Sequence, residues 1–223
     1  MIIRTPHLLL RPWNMADRIG FRALNADPEV MKYFPFILSE EESDALADRL
    51  QTDMKHDGHG AWVLELPGMT SFAGVVGLNV PSFDRSLVEI FWRLHTRFWG
   101  HGHATEAAAA VLEIGFSRLG LKSICSFTSV DNVRSERVMR RLGMTHCPEK
   151  DFRHPALPPD HRLSEHLFYH MTAESWKNRK KHFQNWLDWY KINVLYHFAD
   201  QGEKGAADHE VQARRHRHKA VGA

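Results

Sequence analysis

The sequence predicts a mixed α/β fold with a mostly antiparallel sheet, and three observations carry that prediction. Strand-like runs at 61–66, 72–80 and 86–94 follow one another with short turns, which is typical of an antiparallel meander. An alanine-rich helical pattern at 104–120 comes next and leads into an apolar strand-like run at 122–130. Because a helix between two strands normally makes them parallel, we expect a mixed sheet flanked by helices.

The elements before the meander are predicted from one apolar run and two helix-start signals. Residues 8–10 form a short apolar run that predicts a first strand. The run Asn-Ala-Asp-Pro-Glu at 25–29 places an N-cap acid before a proline at the first helical position. Ser39 and Glu42 have capping-box spacing and predict an exposed helix that ends near Gly58.

The elements after 122–130 complete the predicted sheet. Asp131 is expected to cap a helix that ends at Gly143. Two last strands are expected at 144–152 and 165–171, on either side of the proline-rich loop 154–161. This loop either sets the choice of substrate or serves as a rigid surface loop.

Composition excludes several classes of protein. The chain has 223 residues, of which 43% are hydrophobic and 25% charged, so it is an ordinary globular sequence. It has no run of about 20 apolar residues, so we expect no membrane segment. Its two cysteines cannot form a disulfide framework, which favours the cytoplasm. The net charge of +2 gives no general footprint for nucleic acid, and the basic excess lies in the tail beyond Ala173.

The turn between the third strand and the helix has the sequence Arg-Phe-Trp-Gly-His-Gly-His-Ala at 97–104. A strand, a glycine turn and a helix start form the geometry that holds a phosphate, because the first helical N–H groups have no partner within the helix. Gly100 and Gly102 would let the main chain approach an anion closely, and Arg97 would add a positive charge. The alternative is an ordinary glycine turn.

The histidines of this turn suggest a metal site as a second hypothesis. His101 and His103 alternate with glycines, but the sequence fixes no third ligand near them. Because zinc sites use three or four protein ligands, we expect no metal site here.

Four segments together resemble one family. They are the turn at 97–104, the segment at 5–13, the strand at 88–94 and the segment SVDNVRSERVMRRLGM at 129–144. This arrangement resembles the GCN5-related N-acetyltransferases (the GNAT family), and in particular the RimJ/RimL-type branch that acetylates the N-termini of ribosomal proteins. The resemblance covers about residues 2–176. It implies an acetyltransferase domain at 1–176 and an extension at 177–223, with a predicted helix over 174–198 and then a disordered basic tail.

The resemblance implies acetyl-CoA as co-substrate and a binding site between two strands. The strand Val88–Leu94 would carry a bulge and splay from its parallel partner at 124–130, and the gap would admit the pantetheine arm. The diphosphate would lie on main-chain N–H groups of residues 100–105. The implied cofactor-binding residues are Phe91, Trp92, Leu94, Arg97, Gly100, His101, Gly102, His103, Ala104, Thr105 and Asn132. Asn132 has an alternative role as a helix-start residue bonded to its own backbone.

The resemblance also suggests two catalytic residues. Ser135 matches the serine that is thought to serve the leaving thiolate in the RimJ/RimL-type branch, whereas Met139 stands where many relatives have a tyrosine. Glu89 would lie beside the acetyl group and accept the proton of the amine, with His95 as a rival. Position 96, where a branch member carries a glutamate, is a threonine here. The alternative for Ser135 is a mid-helix serine that bonds to the preceding turn. The alternative for Glu89 is a charge on a solvated face.

The function expected from these residues is acetyl transfer from acetyl-CoA to a primary amine, by direct attack in a ternary complex. The acceptor is either a protein N-terminus or a small molecule, and the chain is expected to be a monomer or homodimer without membrane or nucleic-acid partners. Four aromatic residues either shape an acceptor pocket or belong to the core: Trp62, Phe83, Phe91 and Trp92. The alternative functions are a non-catalytic acyl-CoA-binding or regulatory module and a histidine-based metal or nucleic-acid protein.

Overall fold

The computed structural model describes residues 1–57 and 60–183. Gly58 and most of the predicted tail helix lie outside the described residues. The strands are β1 (Ile3–Arg4), β2 (Leu9–Arg11), β3 (Gly60–Leu66), β4 (Thr70–Asn79), β5 (Glu89–Leu94), β6 (Ser123–Ser129), β7 (Thr145–His146), β8 (Phe152–Arg153) and β9 (Glu165–Thr172). The α-helices are α1 (Asp17–Ala26), α2 (Pro28–Met31), α3 (Glu40–Asp57), α4 (His103–Ser117), α5 (Val133–Leu142) and α6 (Ala173–Arg179).

The described strands form one mixed sheet, as predicted. Their order is β1-β2-β3-β4-β5-β6-β9-β7, and β8 pairs with β9. The pairs are antiparallel except for β5 and β6, which are parallel and joined by α4. The meander β3-β4-β5 and the parallel crossover therefore confirm the mostly antiparallel α/β fold.

The parallel strands β5 and β6 separate after one pair of residues. Glu89 pairs with Cys125, whose N–H donates to the carbonyl of Val88 at 2.8 Å, and no further pair follows. The prediction of a bulge in β5 is wrong, because β5 keeps an unbroken register with β4. The register shift lies between Leu64 and Leu66 of β3 instead. The gap between β5 and β6 therefore arises from divergence of the two strands, to which sheet twist contributes, without an extra residue.

Helices cover both faces of the sheet. On one face, the buried alanines 107–110 of α4 let this helix pack closely over Leu78 and Ile90. On the other face, Phe21 of α1 and Leu50 of α3 pack with Val75 of β4. Since side chains alternate along a strand, residues of β5 contribute to both sides in turn. The described residues contain no helix long and apolar enough to cross a membrane.

The predicted helix starts are confirmed at α2 and α3 and shifted at α5. Asp27 accepts from the N–H of Glu29 at 2.9 Å, and Ser39 and Glu42 form the expected reciprocal capping box. The expectation for Asp131 is wrong: α5 begins at Val133, and its N-cap is the following asparagine. The helix α1 was not predicted, because its N-terminus has no side-chain cap.

The predicted strand at 144–152 is broken into β7 and β8. A 3-10 turn at Pro148–Lys150 separates the two short strands, and both pair with β9. Pro148 explains the break, because proline has no N–H for a sheet ladder and fixes its own φ angle.

The described chain packs past Trp176, the end of the expected acetyltransferase domain. The buried Trp176 donates from Nε1 to Glu113 of α4 at 2.7 Å. Phe183 is also buried and stacks on Trp176, with ring centroids 5.8 Å apart. Lys180 lies between them in sequence and forms an ion pair with Glu113 at 3.0 Å. The extension therefore contributes residues to the main core.

We expect a chain that ends at Trp176 to be less stable than one that ends at Phe183. The longer chain buries the Phe183 ring, which contributes about 2 kcal/mol to the free energy of unfolding. Urea unfolding followed by tryptophan fluorescence measures the difference. Lys180→Ala in the longer chain is the control that measures the loss of the ion pair with the buried Glu113 separately from the loss of the Phe183 ring. Equal unfolding midpoints for the two chains would contradict the expectation.

Candidate active site

The N-terminus of α4 is open toward a cavity. Gly102 is the N-cap residue with φ 84°, and Gly100 has φ 83°, so both occupy the left-handed region that favours glycine. No other atom lies within 4 Å of a Cβ built on either glycine. The N–H groups of the first helical turn have no carbonyl four residues earlier in the helix to bond. This end of α4 therefore presents free donors and partial positive charge to the cavity.

The cavity has a volume of about 780 Å³ and extends from this helix end along β5. It is lined by most of the residues that the sequence singled out: Glu89, Phe91, Trp92, Leu94, Gly100, Gly102, His103, Ala104, Thr105, Asn132 and Ser135. Arg97 and His101 are exposed and do not line it. The Arg97 guanidinium lies over the ring of Phe98, 4.7 Å from its centroid. The structure thus brings together eleven of the thirteen predicted residues.

The gap between β5 and β6 exposes main-chain groups of β5. The N–H of His95 donates to the carbonyl of Ala73 at 3.0 Å. Main-chain groups of successive residues in a strand point to opposite neighbours, so every second residue of β5, counted back from His95, directs its N–H and C=O groups to β4. The residues between, such as Trp92, direct their N–H and C=O groups into the gap. Phe91 pairs with Gly77 of β4, so only its side chain is available to the cavity.

Two buried polar atoms on the cavity wall have no partner among the described residues. They are Nδ1 of His103 and the hydroxyl oxygen of Ser129 at the end of β6. An unpaired buried polar group costs about 1–3 kcal/mol, so both atoms fit a site that is completed by a polar ligand. Ser129 could not be predicted from the sequence, because nothing there distinguishes it from other strand residues.

Asn132 and Ser135 lie next to each other at the start of α5. The side-chain oxygen of Asn132 accepts from the N–H of Ser135 at 3.2 Å, and its amide donates to Thr128 at 3.0 Å. Asn132 is therefore a helix cap that also lines the cavity, and its oxygen can accept a second hydrogen bond. Ser135 lies in the first helical turn and not in mid-helix, and its hydroxyl makes no hydrogen bond within the described chain.

Glu89 is a half-buried carboxyl group on the cavity wall. Burial raises its pKa to about 8, against the opposing effect of a weak hydrogen bond from the Asn79 amide at 3.5 Å. The carboxyl group is therefore mostly neutral at pH 7 and becomes a proton acceptor as the pH rises through 8. His95, the rival base, does not line the cavity and packs against the ring of Phe72.

The charged residues on the described cavity wall are mostly cationic. Glu89 is the one carboxylic acid among them. The cations are Arg49, Arg93, Arg134, Arg137 and Arg141. The last three lie on α5, near the open end of α4, and the Arg134 guanidinium stacks on the ring of Trp99 at 4.6 Å. Such an electropositive wall favours an anionic ligand.

The aromatic residues considered for an acceptor pocket divide between core and cavity. Trp62 is buried in the main core, whereas Phe91 and Trp92 line the cavity. Phe83 packs against Phe127, with ring centroids 5.6 Å apart, and belongs to an aromatic cluster at the loop 154–161. Two residues of this loop reach the cavity wall, His154 and Leu157.

The histidines of the glycine turn do not meet a set of metal ligands. The rings of His101 and His103 lie 5.7 Å apart. The nearby His7 is engaged by Glu106 of α4, which accepts from its main-chain N–H at 3.0 Å. Within residues 1–57 and 60–183, no group of three or more His, Cys, Asp or Glu residues could hold a metal ion.

Two relatives of this chain are acetyltransferases by name. It is 29% identical to the FsC-acetyl coenzyme A-N(2)-transacetylase of Aspergillus fumigatus, with 92% of this chain and 94% of the relative covered. It is 27% identical to YnaD of Bacillus subtilis, an uncharacterized N-acetyltransferase, with 79% and 99% covered.

Solved structures show the same fold. A GNAT-family acetyltransferase from Bacillus anthracis matches with a TM-score of 0.65 and 25% identity over 78% of this chain and 99% of that one. The spermidine N-acetyltransferase of Vibrio cholerae, solved with CoA and spermine, matches with a TM-score of 0.61 and 19% identity over 77% and 99% of the two chains. The latter identity supports the fold alone.

The family model for the acetyltransferase (GNAT) domain matches residues 7–145, which is more than half of the chain. This match includes the glycine turn, α4, and the residues at the start of α5. The chain therefore belongs to the GNAT acetyltransferase family, and it is an acetyltransferase with acetyl-CoA as its co-substrate.

Proposed function

We propose that this chain transfers the acetyl group of acetyl-CoA to a primary amine, by direct attack while both substrates occupy the same cavity. The observation that carries this proposal is the continuity of that cavity. It joins the open end of α4, the gap beside β5 and the carboxyl group of Glu89. The names of both relatives, which specify transfer to nitrogen, support an amine as acceptor.

The binding roles follow from the free donors of the wall. The main-chain N–H groups of residues 100–105 would hold the diphosphate, and the main-chain groups of Trp92 would bond the pantetheine amides in the gap. His103 and Ser129 would give their unpaired polar atoms to the same ligand. Acetyl-CoA supplies an activated thioester, so the protein has to position it and manage protons.

Two side chains would assist the transfer, one by accepting a proton and the other by donating a hydrogen bond. An amine attacks only in its neutral form, and the Glu89 carboxylate would accept the proton that the nitrogen loses. Ser135 would donate a hydrogen bond to the leaving thiolate from its unengaged hydroxyl group. A main-chain N–H of β5 that faces the gap would stabilise the negative charge that develops on the thioester oxygen.

We expect Ser135→Ala to lower kcat by about tenfold to a hundredfold, because one proton or hydrogen-bond donor to the leaving group is lost. The KM for acetyl-CoA should stay nearly unchanged, since the diphosphate contacts remain. Steady-state release of CoA thiol measures both constants. Ser175→Ala, at an exposed serine of α6 outside the cavity, is the matched control. An unchanged kcat in Ser135→Ala would remove this residue from the mechanism.

The experiment that tests the proposed function is an amine screen with acetyl-CoA. CoA release and the mass of the acetylated product are followed with amino acids, amino acid amides, polyamines and peptides with free N-termini. The peptides are included because the branch that the sequence resembles acetylates protein N-termini. Transfer to any amine supports the proposal. Acetyl-CoA binding by calorimetry without transfer to any of these amines would favour the non-catalytic acyl-CoA-binding module.

A further inference from the structure

Arg93 is a half-buried arginine that faces the cavity without an acidic partner. It lies on β5, on the same face of the strand as Glu89 and Phe91, and all three side chains line the cavity. Among the residues that the structure describes, no carboxylate forms an ion pair with its guanidinium. A charge that is largely withdrawn from water is normally paired, so this guanidinium lacks the partner that such groups usually have.

Neutral groups hold the Arg93 guanidinium in place. Its Nη1 donates to the side-chain oxygen of Asn25, and its carbon lies 4.0 Å from the ring centroid of Phe34. Asn25 is fully buried at the end of α1, and its amide donates to Ser43 of α3 at 2.8 Å. Because a guanidinium has five N–H donors, this network fixes its position and leaves most donors for a ligand.

The surroundings of Arg93 are positively charged. Burial lowers its pKa to about 10, which still leaves the group protonated at neutral pH. Arg49 of α3 lines the same part of the cavity, and the carboxyl group of Glu89 is mostly neutral at pH 7. This part of the wall would repel a polyamine and attract an anion.

The shape of the cavity places Arg93 on the acceptor side. Its wall here consists of residues from α1 to α3, such as Phe21, Val30 and Leu46, on the face of the sheet opposite to α4. The start of α4 and the gap beside β5 are left for acetyl-CoA. Since Glu89 and Arg93 are four residues apart on one strand, their Cα atoms lie about 13 Å from each other. An acceptor molecule fits between the proposed base and the guanidinium.

We propose that Arg93 binds a carboxylate of the acceptor, so that the substrate of this enzyme is an amino acid or another amine that carries a carboxylate. This inference rests on the proposed function and names the class of its acceptor. The planar guanidinium fits a carboxylate through two parallel hydrogen bonds, and the low-dielectric wall strengthens that pairing. The amine of the acceptor then lies toward Glu89 and its carboxylate toward Arg93.

The test compares acceptors that differ only in charge. Initial rates are measured with α-amino acids and longer ω-amino acids, with the amide of each, and with spermidine, all at saturating acetyl-CoA. We expect kcat/KM for at least one carboxylate to exceed that for its amide by about a hundredfold, the range for truncation of one partner of a buried charge pair. Equal or faster transfer to the amides or to spermidine overturns the inference and leaves the proposed function intact. No transfer to these acceptors overturns the inference, and it contradicts the proposed function as well only if the peptides of the wider screen are also not acetylated.

Variants of Arg93 separate recognition from folding. Arg93→Gln should raise the KM of the preferred carboxylate acceptor by about a hundredfold, and Arg93→Lys should recover part of that loss, since a lysine keeps the charge without the planar fork. Both variants should bind acetyl-CoA by calorimetry like the wild type, which shows that the fold is intact. Arg4→Gln, on β1 and away from the cavity, is the matched control. A wild-type preference for the carboxylate that survives in Arg93→Gln overturns the assignment to this residue.

Discussion

Gly102→Glu should weaken acetyl-CoA binding by at least about thirtyfold. The substitution places a carboxylate at the open end of α4, where the free N–H groups would otherwise face the diphosphate. Two unit charges about 4 Å apart cost about 4 kcal/mol at an effective dielectric constant of 20, and half of that cost already weakens binding about thirtyfold. Calorimetric titration of acetyl-CoA into both proteins measures the change.

The control for Gly102→Glu must share its backbone strain. Gly102 has φ 84°, and Gly68, in the turn between β3 and β4, has φ 78° with equally open space around a built Cβ. Gly68→Glu therefore introduces the same side chain at comparable strain, but Gly68 does not line the cavity. Wild-type affinity in Gly68→Glu together with loss in Gly102→Glu locates the diphosphate at α4. Equal affinity in all three proteins would contradict that location.

The parts of the fold that could be predicted are those encoded by local signals. The capping box at Ser39 and Glu42 depends on residues three apart, and the cap at Asp27 on residues two apart. Gly100 and Gly102 predicted a turn before a helix, which the structure has, and both glycines have positive φ angles there. Such signals concern a few neighbouring residues, so one sequence contains all the information that they need.

The parts that could not be predicted depend on contacts between distant segments. The unpaired hydroxyl of Ser129 becomes recognisable only once α5 and the cavity surround it. The sequence shows Arg93 only as a charged residue on a strand. That no carboxylate pairs with it depends on how α1, α3 and β5 pack together. The helix α1 also depends on a contact between distant segments. Its buried Asp17 forms an ion pair at 2.8 Å with Arg11, which lies on another element.

The failure of the expected bulge has a related cause. The family resemblance implied an extra residue in β5, but the register with β4 is uninterrupted from Glu89 to Leu94, so the side chains alternate between the two faces of the sheet throughout. The gap is instead produced where β6 leaves β5 after Cys125. A pattern along one strand does not report how far its neighbour diverges, because divergence depends on what packs beneath both strands.

Glu89→Gln should lower kcat/KM by about a hundredfold to ten-thousandfold at pH 9, the range for loss of a general base. The effect should shrink as the pH falls. Below pH 8 the raised pKa keeps the Glu89 carboxyl group neutral, so the wild type itself lacks the carboxylate that accepts the proton. The loss of activity in the variant should therefore grow as the pH rises from 6, reach half of its full size near pH 8 and become constant only well above pH 8.

The ratio of the wild-type and variant rates isolates this ionisation from that of the acceptor. An amine also becomes more reactive at high pH, but both proteins encounter the same amine, so its ionisation cancels in the ratio of kcat/KM values. A ratio that rises with a midpoint near pH 8 identifies Glu89 as the base. A ratio that does not change with pH would leave Glu89 a structural or substrate-binding role only.

A second variant tests the physical origin of that midpoint. The amide of Asn79 donates to the Glu89 carboxylate at 3.5 Å, and this bond stabilises the charged form. Asn79→Leu removes the donor without adding a charge, so the pKa of Glu89 should rise and the midpoint of the ratio, measured against Glu89→Gln in the same background, should move to higher pH. The shift should be small, because a bond of that length is weak. A shift to lower pH would contradict the stabilisation of the charged carboxylate by the Asn79 amide.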